Sequence, residues 1–435
     1  MDHLIATHGQ RYLEILRTLV HMPSVFTRPG DVAKLISYCR GQLSKTLASH
    51  TLHQDDGQNL IALPKALNSE NPILYLSAHV DTVDADAEGW SAPFAPFDLY
   101  EDETQMVGRG VSDCKAGVAF QLFVAELLAK GELSAKNLAF TLTFKEEGAG
   151  VKTGVYFGKA LGKELPMGGP ETRFLVLENT VSVFKDGSSH LGIYTAERGN
   201  FVLECRGTPE ELQKILAHLS HWNPVAVAPV DMQEISMEIL TQTGGHACSV
   251  PREKNRLTAI LSEAHPNAVI SAGDPASFGV IPTEILVGRA EEAVIHTLTL
   301  SNRSFDTLAS VQDQVKGISH REIKPFAISQ GMDGRKAFSG SAMEAALDGL
   351  ASPIAVVPEI NTGASDASIV LNAMAPELKG RFTAWIMGPG TRSMRHAQPP
   401  RLTHGVNETF DKKSGLNSVA AILEILKGLG HLTSL

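Results

Sequence analysis

The stretch TFKEEGAG (143–150) places Lys145 and then two glutamates, Glu146 and Glu147, after the apolar run LAFTLTF (138–144). Adjacent carboxylates repel one another unless a positive group lies close by. Other apolar runs end in the same way. ILYLSA (73–78) is followed by His79, Val80 and Asp81, and FLVL (174–177) by Glu178. FTAWIM (382–387) leads into Gly388, Pro389, Gly390 and a histidine-bearing loop. Histidine and carboxylate together are a ligand set for divalent cations. On a strand His79 and Asp81 share a face, so the acid can stand behind the imidazole and set its tautomer. Asp113, in the glycine-punctuated loop GRGVSDCKAG (108–117), opens an apolar helix and suits either an N-cap or a ligand.

These groups need strands to carry them. The apolar runs alternate with helical patterns, amphipathic at 8–20 and 32–49 and mostly apolar at 118–130, which predicts a three-layer α/β domain. In such sheets ligands bind beyond the carboxyl ends of the strands, where the polar residues fall. From about residue 182 the texture changes. GIYTAERGNFVLECRG (192–207) alternates like a half-buried strand pair, and AVIHTLTLSN (293–302) alternates again. EELQKILAHLSHW (210–222) and the segment after Pro251 read as helices. After about 325 the first texture returns, closing with the helix SGLNSVAAILEILKGL (414–429). The expected organisation is a discontinuous α/β domain, 1–181 and 326–435, with a smaller α+β domain inserted at 182–325.

The 435 residues are too many for one ordinary core. A net charge of −10 disfavours nucleic acid or an anionic membrane as the main partner. The chain holds no apolar run of about 18 residues that would span a bilayer. Its start lacks the pattern of a signal peptide. Cys39, Cys114, Cys205 and Cys248 are scattered and form no CxxC pair, so a reducing, cytoplasmic setting is expected.

In order along the chain, SAHVDTV (77–83), GRGVSDCKAG, TFKEEGAG, LENT (177–180), GGHACSVPREKNRL (244–257), NTGASDAS (361–368), MGPG (387–390) and HGVNE (404–408) resemble the M20 family of metallopeptidases and amidohydrolases. That family includes acetylornithine deacetylase, succinyl-diaminopimelate desuccinylase, aminoacylase and glutamate carboxypeptidase. The resemblance implies a pair of divalent ions, zinc first and cobalt or manganese next, as the positive partner of the glutamates. His79 and Glu178 would hold one ion, and Glu147 and a C-terminal histidine the other. Asp113 would bridge them, with Asp81 supporting His79. Glu146 would be the general base, moving a proton from the attacking water to the leaving amine.

His246 matches a histidine that polarises the scissile carbonyl. Asn255, Ser365, Gly388 and Gly390 fall where substrate contacts are expected. The peptide between Asp113 and Cys114 is expected to be cis, and Cys114 to serve as packing. Two stretches depart from the family pattern. LENT lacks the usual proline after Glu178. Two histidines compete for the last ligand: His396 has the usual spacing from GPG, whereas His404 alone carries HxxNE, which favours His404. The implied reaction is cleavage of an amide next to a free carboxylate, foremost deacylation of an N-acyl amino acid. An exopeptidase acting on short peptides is the nearest alternative, and a non-catalytic binding protein on the same fold a more distant one. The inserted domain would carry a homodimer contact, although its extra forty residues before GGHACSVP leave the strand order open.

Overall fold

The computed structural model describes residues 2–55, 59–85, 90, 95–149, 151–197, 201–230, 237–242, 245–246, 252–273, 280–282, 284–302, 308–324, 341–361, 365–393 and 406–434. The chain divides into two compact units, Met1–Ala196 with Gly331–Asn361 and Ser365–Leu435, and Glu197–Gln330 with Thr362–Ala364.

The first unit is built on a ten-stranded sheet. In chain order its strands are β1 (His50–Gln54), β2 (Leu60–Pro64), β3 (Ile73–His79), β4 (Leu138–Thr143), β5 (Thr172–Val176), β6 (Val181–Val183), β7 (Ser189–Glu197), β8 (Ala355–Asn361), β9 (Phe382–Ile386) and β10 (Thr391–Ser393). The spatial order is β1-β2-β4-β3-β5-β9-β7-β6-β10, with β8 beside β7. The four central strands β4, β3, β5 and β9 run parallel. Every residue of β3 is buried. Its alternate side chains enter different cores: Ile73 and Tyr75 join Phe157, Phe174 and Val370, whereas Leu74, Leu76 and Ala78 join Phe120, Phe123 and Val419. A strand covered on both faces reads as a continuous apolar run, which is why the sequence pattern is so plain here. One layer holds helices Asp2–Val20, Pro29–Thr46, Lys115–Ala129 and Lys412–Gly428, and the other Val151–Ala160 and Asp366–Ala373.

The second unit has a seven-stranded sheet in which every pairing is antiparallel. Helices Pro209–His218, Arg256–Glu263 and Leu308–Gln314 pack on it through Leu212, Leu216, Leu257, Leu261 and Val311. Thr208 and Glu211 form a capping box at the start of the first.

The expected α/β domain with an α+β insert is therefore present, with a shifted first boundary. Residues 181–197 belong to the large sheet through β6 and β7. The stretch 192–207 is not one strand pair: Ser189–Glu197 and Phe201–Gly207 lie in different sheets. Alternation reports a half-buried face and carries no information on which sheet supplies the partner. The second expected boundary, near 325, lies outside the described residues.

Candidate metal centre

The carboxyl ends of the parallel strands deliver the acidic groups to one place. β3 ends at His79, β5 leads to Glu178, and β4 leads through Lys145 to Glu146 and Glu147. Lys145 takes a positive φ of 71° and turns the chain. The glutamates follow the strand end, as expected from sequence, and start a short helix, Glu146–Ala149. Successive helical residues point about 100° apart, so the pair still diverges.

His79 is the hub. Its Nε2 lies 2.9 Å from Asp113 Oδ1 and 3.8 Å from Glu178 Oε1. Donor atoms of His79, Asp113 and Glu147 all lie within 4.8 Å of one another, as do those of His79, Cys114 and Glu178. The Asp113–Cys114 peptide is cis, as expected. The Cys114 thiol donates to the Leu177 carbonyl at 2.7 Å, which agrees with a packing role.

Asp81 differs from its expected role. His79 Nδ1 bonds the main-chain carbonyl of Asp81 at 2.9 Å, while the carboxylate stands 3.7 Å away. The carbonyl accepts only, so it makes Nδ1 the donor and leaves Nε2 toward the acids. The Asp81 carboxylate instead accepts from the Glu147 N–H at 3.1 Å and, more loosely, the Glu146 N–H at 3.4 Å. One residue thus orients the imidazole and anchors the EE turn.

The site is short of positive charge. Burial pushes the Asp81 carboxyl up to about 7, with His79 opposing and Glu147 and Glu146 adding to it. Burial also raises Glu178 well above the usual carboxylate range, and Asp113, Glu146 and Glu147 add to it. Burial disfavours charge on His79, but Asp113 and Glu178 oppose it, and the imidazole pKa stands well above its ordinary value. The cations of the neighbouring loop are engaged elsewhere: Arg109 pairs with Glu408, and Lys115 donates to the Met22 carbonyl. Converging acids and an imidazole with an outward Nε2 fit a divalent cation.

All four expected substrate residues have structural occupations. A side chain at Gly388 would meet the Glu178 main chain at 2.1 Å, and one at Gly390 would meet the Ser112 carbonyl at 2.3 Å. The Gly388 N–H donates to Thr180 Oγ1. These glycines let the 387–390 turn lie flush against Glu178 and Asn179, where Pro389 bridges Asn179. That packing braces Glu178 in the absence of a proline after it. Asn255 is buried in the second unit, capping a helix with Oδ1 and donating to the Pro224 carbonyl with Nδ2. Ser365 caps Asp366–Ala373 through its hydroxyl. His246 lies in a short strand, Gly245–His246; His396 and His404 lie outside the described residues.

Two acids beyond the expected set belong to this region. Asp366 is buried, and burial, followed by the charge of Glu146, pushes its carboxyl up to about 7. Glu408 is buried beside the Asp113 loop. Both stand in recognised stretches, NTGASDAS and HGVNE, which was the signal available for them.

The sequence model of Peptidase family M20/M25/M40 matches residues 75–428. The chain belongs to that family. Among curated M20 relatives, a probable succinyl-diaminopimelate desuccinylase of Staphylococcus epidermidis is 29% identical over 136 residues, 30% of this chain and 32% of that protein. A probable carboxypeptidase of Aspergillus niger is 26% identical over 154 residues, 33% of this chain and 35% of its own length. The aligned stretches thus span about a third of these relatives. Human carnosine dipeptidase 1 shares the fold with a TM-score of 0.59 at 12% identity, over 98% of both chains. Among the described residues of this M20 chain, no helix is long and apolar enough to cross a membrane.

Proposed function

We propose that this M20 chain is a metal-dependent amide hydrolase acting on a small substrate with a free carboxylate, foremost an N-acyl amino acid. The observation that carries the reading is the approach of His79 Nε2 to Asp113 and Glu178, with Glu147 in the same donor cluster. His79 and Glu178 would hold one cation, Glu147 and His404 the other, and Asp113 would be shared. Zinc suits this mixed nitrogen and oxygen set, with cobalt or manganese as substitutes. When bound, the cations supply Lewis-acid activation of water and of the scissile carbonyl.

The chain's own residues do the rest. Asp81 holds His79 in the tautomer that presents Nε2. Glu146 accepts the proton of the attacking water and hands it to the leaving nitrogen, which needs a carboxylate beside the cluster but outside it. His246 is assigned to the developing oxyanion. A homodimer through the inserted unit belongs to the same reading. A panel of N-acetyl and N-succinyl amino acids, assayed with zinc, cobalt or manganese, tests it; turnover unaffected by chelators would end it. The names of the A. niger and human relatives favour a second reading, an exopeptidase on the same centre, and dipeptides in the panel separate the two.

A further inference from the structure

We infer that Glu408 is the positioning residue for Asp113, acting through the main chain of the loop that carries it. The inference rests on the reading of Asp113 as a metal ligand. Glu408 is 2% exposed, and its carboxylate takes four donors from one short loop. Oε1 accepts from the Ser112 N–H at 2.9 Å and the Asp113 N–H at 3.0 Å. Oε2 accepts from the Gly110 N–H at 3.1 Å and from Arg109 Nη1 at 2.9 Å. A carboxylate offers roughly four acceptor positions, so this one is saturated. Three main-chain N–H groups, those of Gly110, Ser112 and Asp113, thus converge on a single buried anion, a nest built from within the protein.

The surroundings make the clamp stiff. The Glu408 carbonyl accepts from the Gly108 N–H, and residues 409–411 pair with 105–107 in a small sheet. Ser112 Oγ donates to the Thr409 carbonyl and accepts from the Thr391 N–H. Arg109, 3% exposed, neutralises the glutamate. The anion is therefore balanced locally. The stretch HGVNE thereby serves the centre twice: its histidine as the proposed ligand, and its glutamate by fixing the backbone of a second ligand.

The test measures metal affinity by chelator competition in the full chain, beside kcat and KM. Glu408→Gln replaces one acceptor by an amide donor facing Arg109 and the Gly110 N–H. It should weaken metal binding by about 10- to 100-fold, with KM moving less than about threefold. In an Asp113→Asn background the same change should add less than about threefold, because both act on one ligand. Unchanged metal affinity in Glu408→Gln, or an equal loss in both backgrounds, overturns the inference. Should Glu408→Gln not fold, Glu408→Asp decides: it keeps the charge but is one methylene too short to bridge the loop, and wild-type affinity there is equally fatal. If Asp113→Asn alone binds metal like the wild type, the metal reading falls first and the inference with it, a result distinct from either of the others.

Discussion

At the carboxyl ends of the parallel strands His79 faces Asp113, Glu178 and Glu147. At the amino ends of the same strands His431, equally buried, faces Arg173 and main-chain carbonyls. His431 Nδ1 donates to the Lys136 carbonyl at 3.1 Å, and Nε2 accepts from Arg173 Nη1 at 3.2 Å. Arg173 is in turn closed by Glu171 and the Leu429 carbonyl. Burial, with Arg173 adding to it, pushes the His431 pKa down to about 4, so this imidazole is neutral. Burial works in the same direction on both rings, and the partners decide the outcome. The amino end is a satisfied network that needs nothing further, whereas the carboxyl end is an acidic concentration that calls for a cation.

The sharpest way to break this contrast is at Glu146. Glu146→Ala should lower kcat by about 10³-fold or more with metal content unchanged, whereas His431→Asn should leave kcat within about twofold; metal analysis beside steady-state rates reads both. Next comes the last ligand. His404→Ala should cost one metal equivalent, and His396→Ala should not; the reverse result would move the assignment to His396.

A pH titration sharpens the amino end. The folded pKa of His431 lies below the unfolded value of about 6.5. The unfolded chain therefore binds the extra proton first as pH falls. Stability from neutral His431 should be complete above about pH 6.5 and decline as pH falls toward 4, by on the order of 3 kcal/mol. Denaturant melts of wild type and His431→Asn should differ in slope across that window. The smallest effect has opposite signs in two states. Glu178→Gln removes a buried carboxylate from an acidic cluster, so the chelator-treated protein should gain about 1 kcal/mol. The metal-loaded protein should lose stability, because a ligand is gone. Thermal melts with and without chelator would show it, and equal shifts in both would sink the idea of a charge-starved site.

The central strands and the motif residues at their ends were legible because strands buried on both faces spell unbroken apolar runs. The polar residue after each run then stands out, as at His79, Glu147 and Glu178. The ambiguity of Asp113 between cap and ligand was not resolvable from spacing, because a carboxylate at a helix start serves either use. The shared texture of 192–207 likewise hid a break between two sheets.

Residue type and order by themselves determined the α/β class and the family, since these follow from periodicity and from the motifs at the strand ends. Only the tertiary structure decided that the Asp81 carbonyl orients His79, that Gly388 and Gly390 brace Glu178, and that Glu408 grips the Asp113 loop from 295 residues away. Those roles depend on which distant main-chain groups come within hydrogen-bonding or van der Waals distance, and a linear pattern carries no record of that.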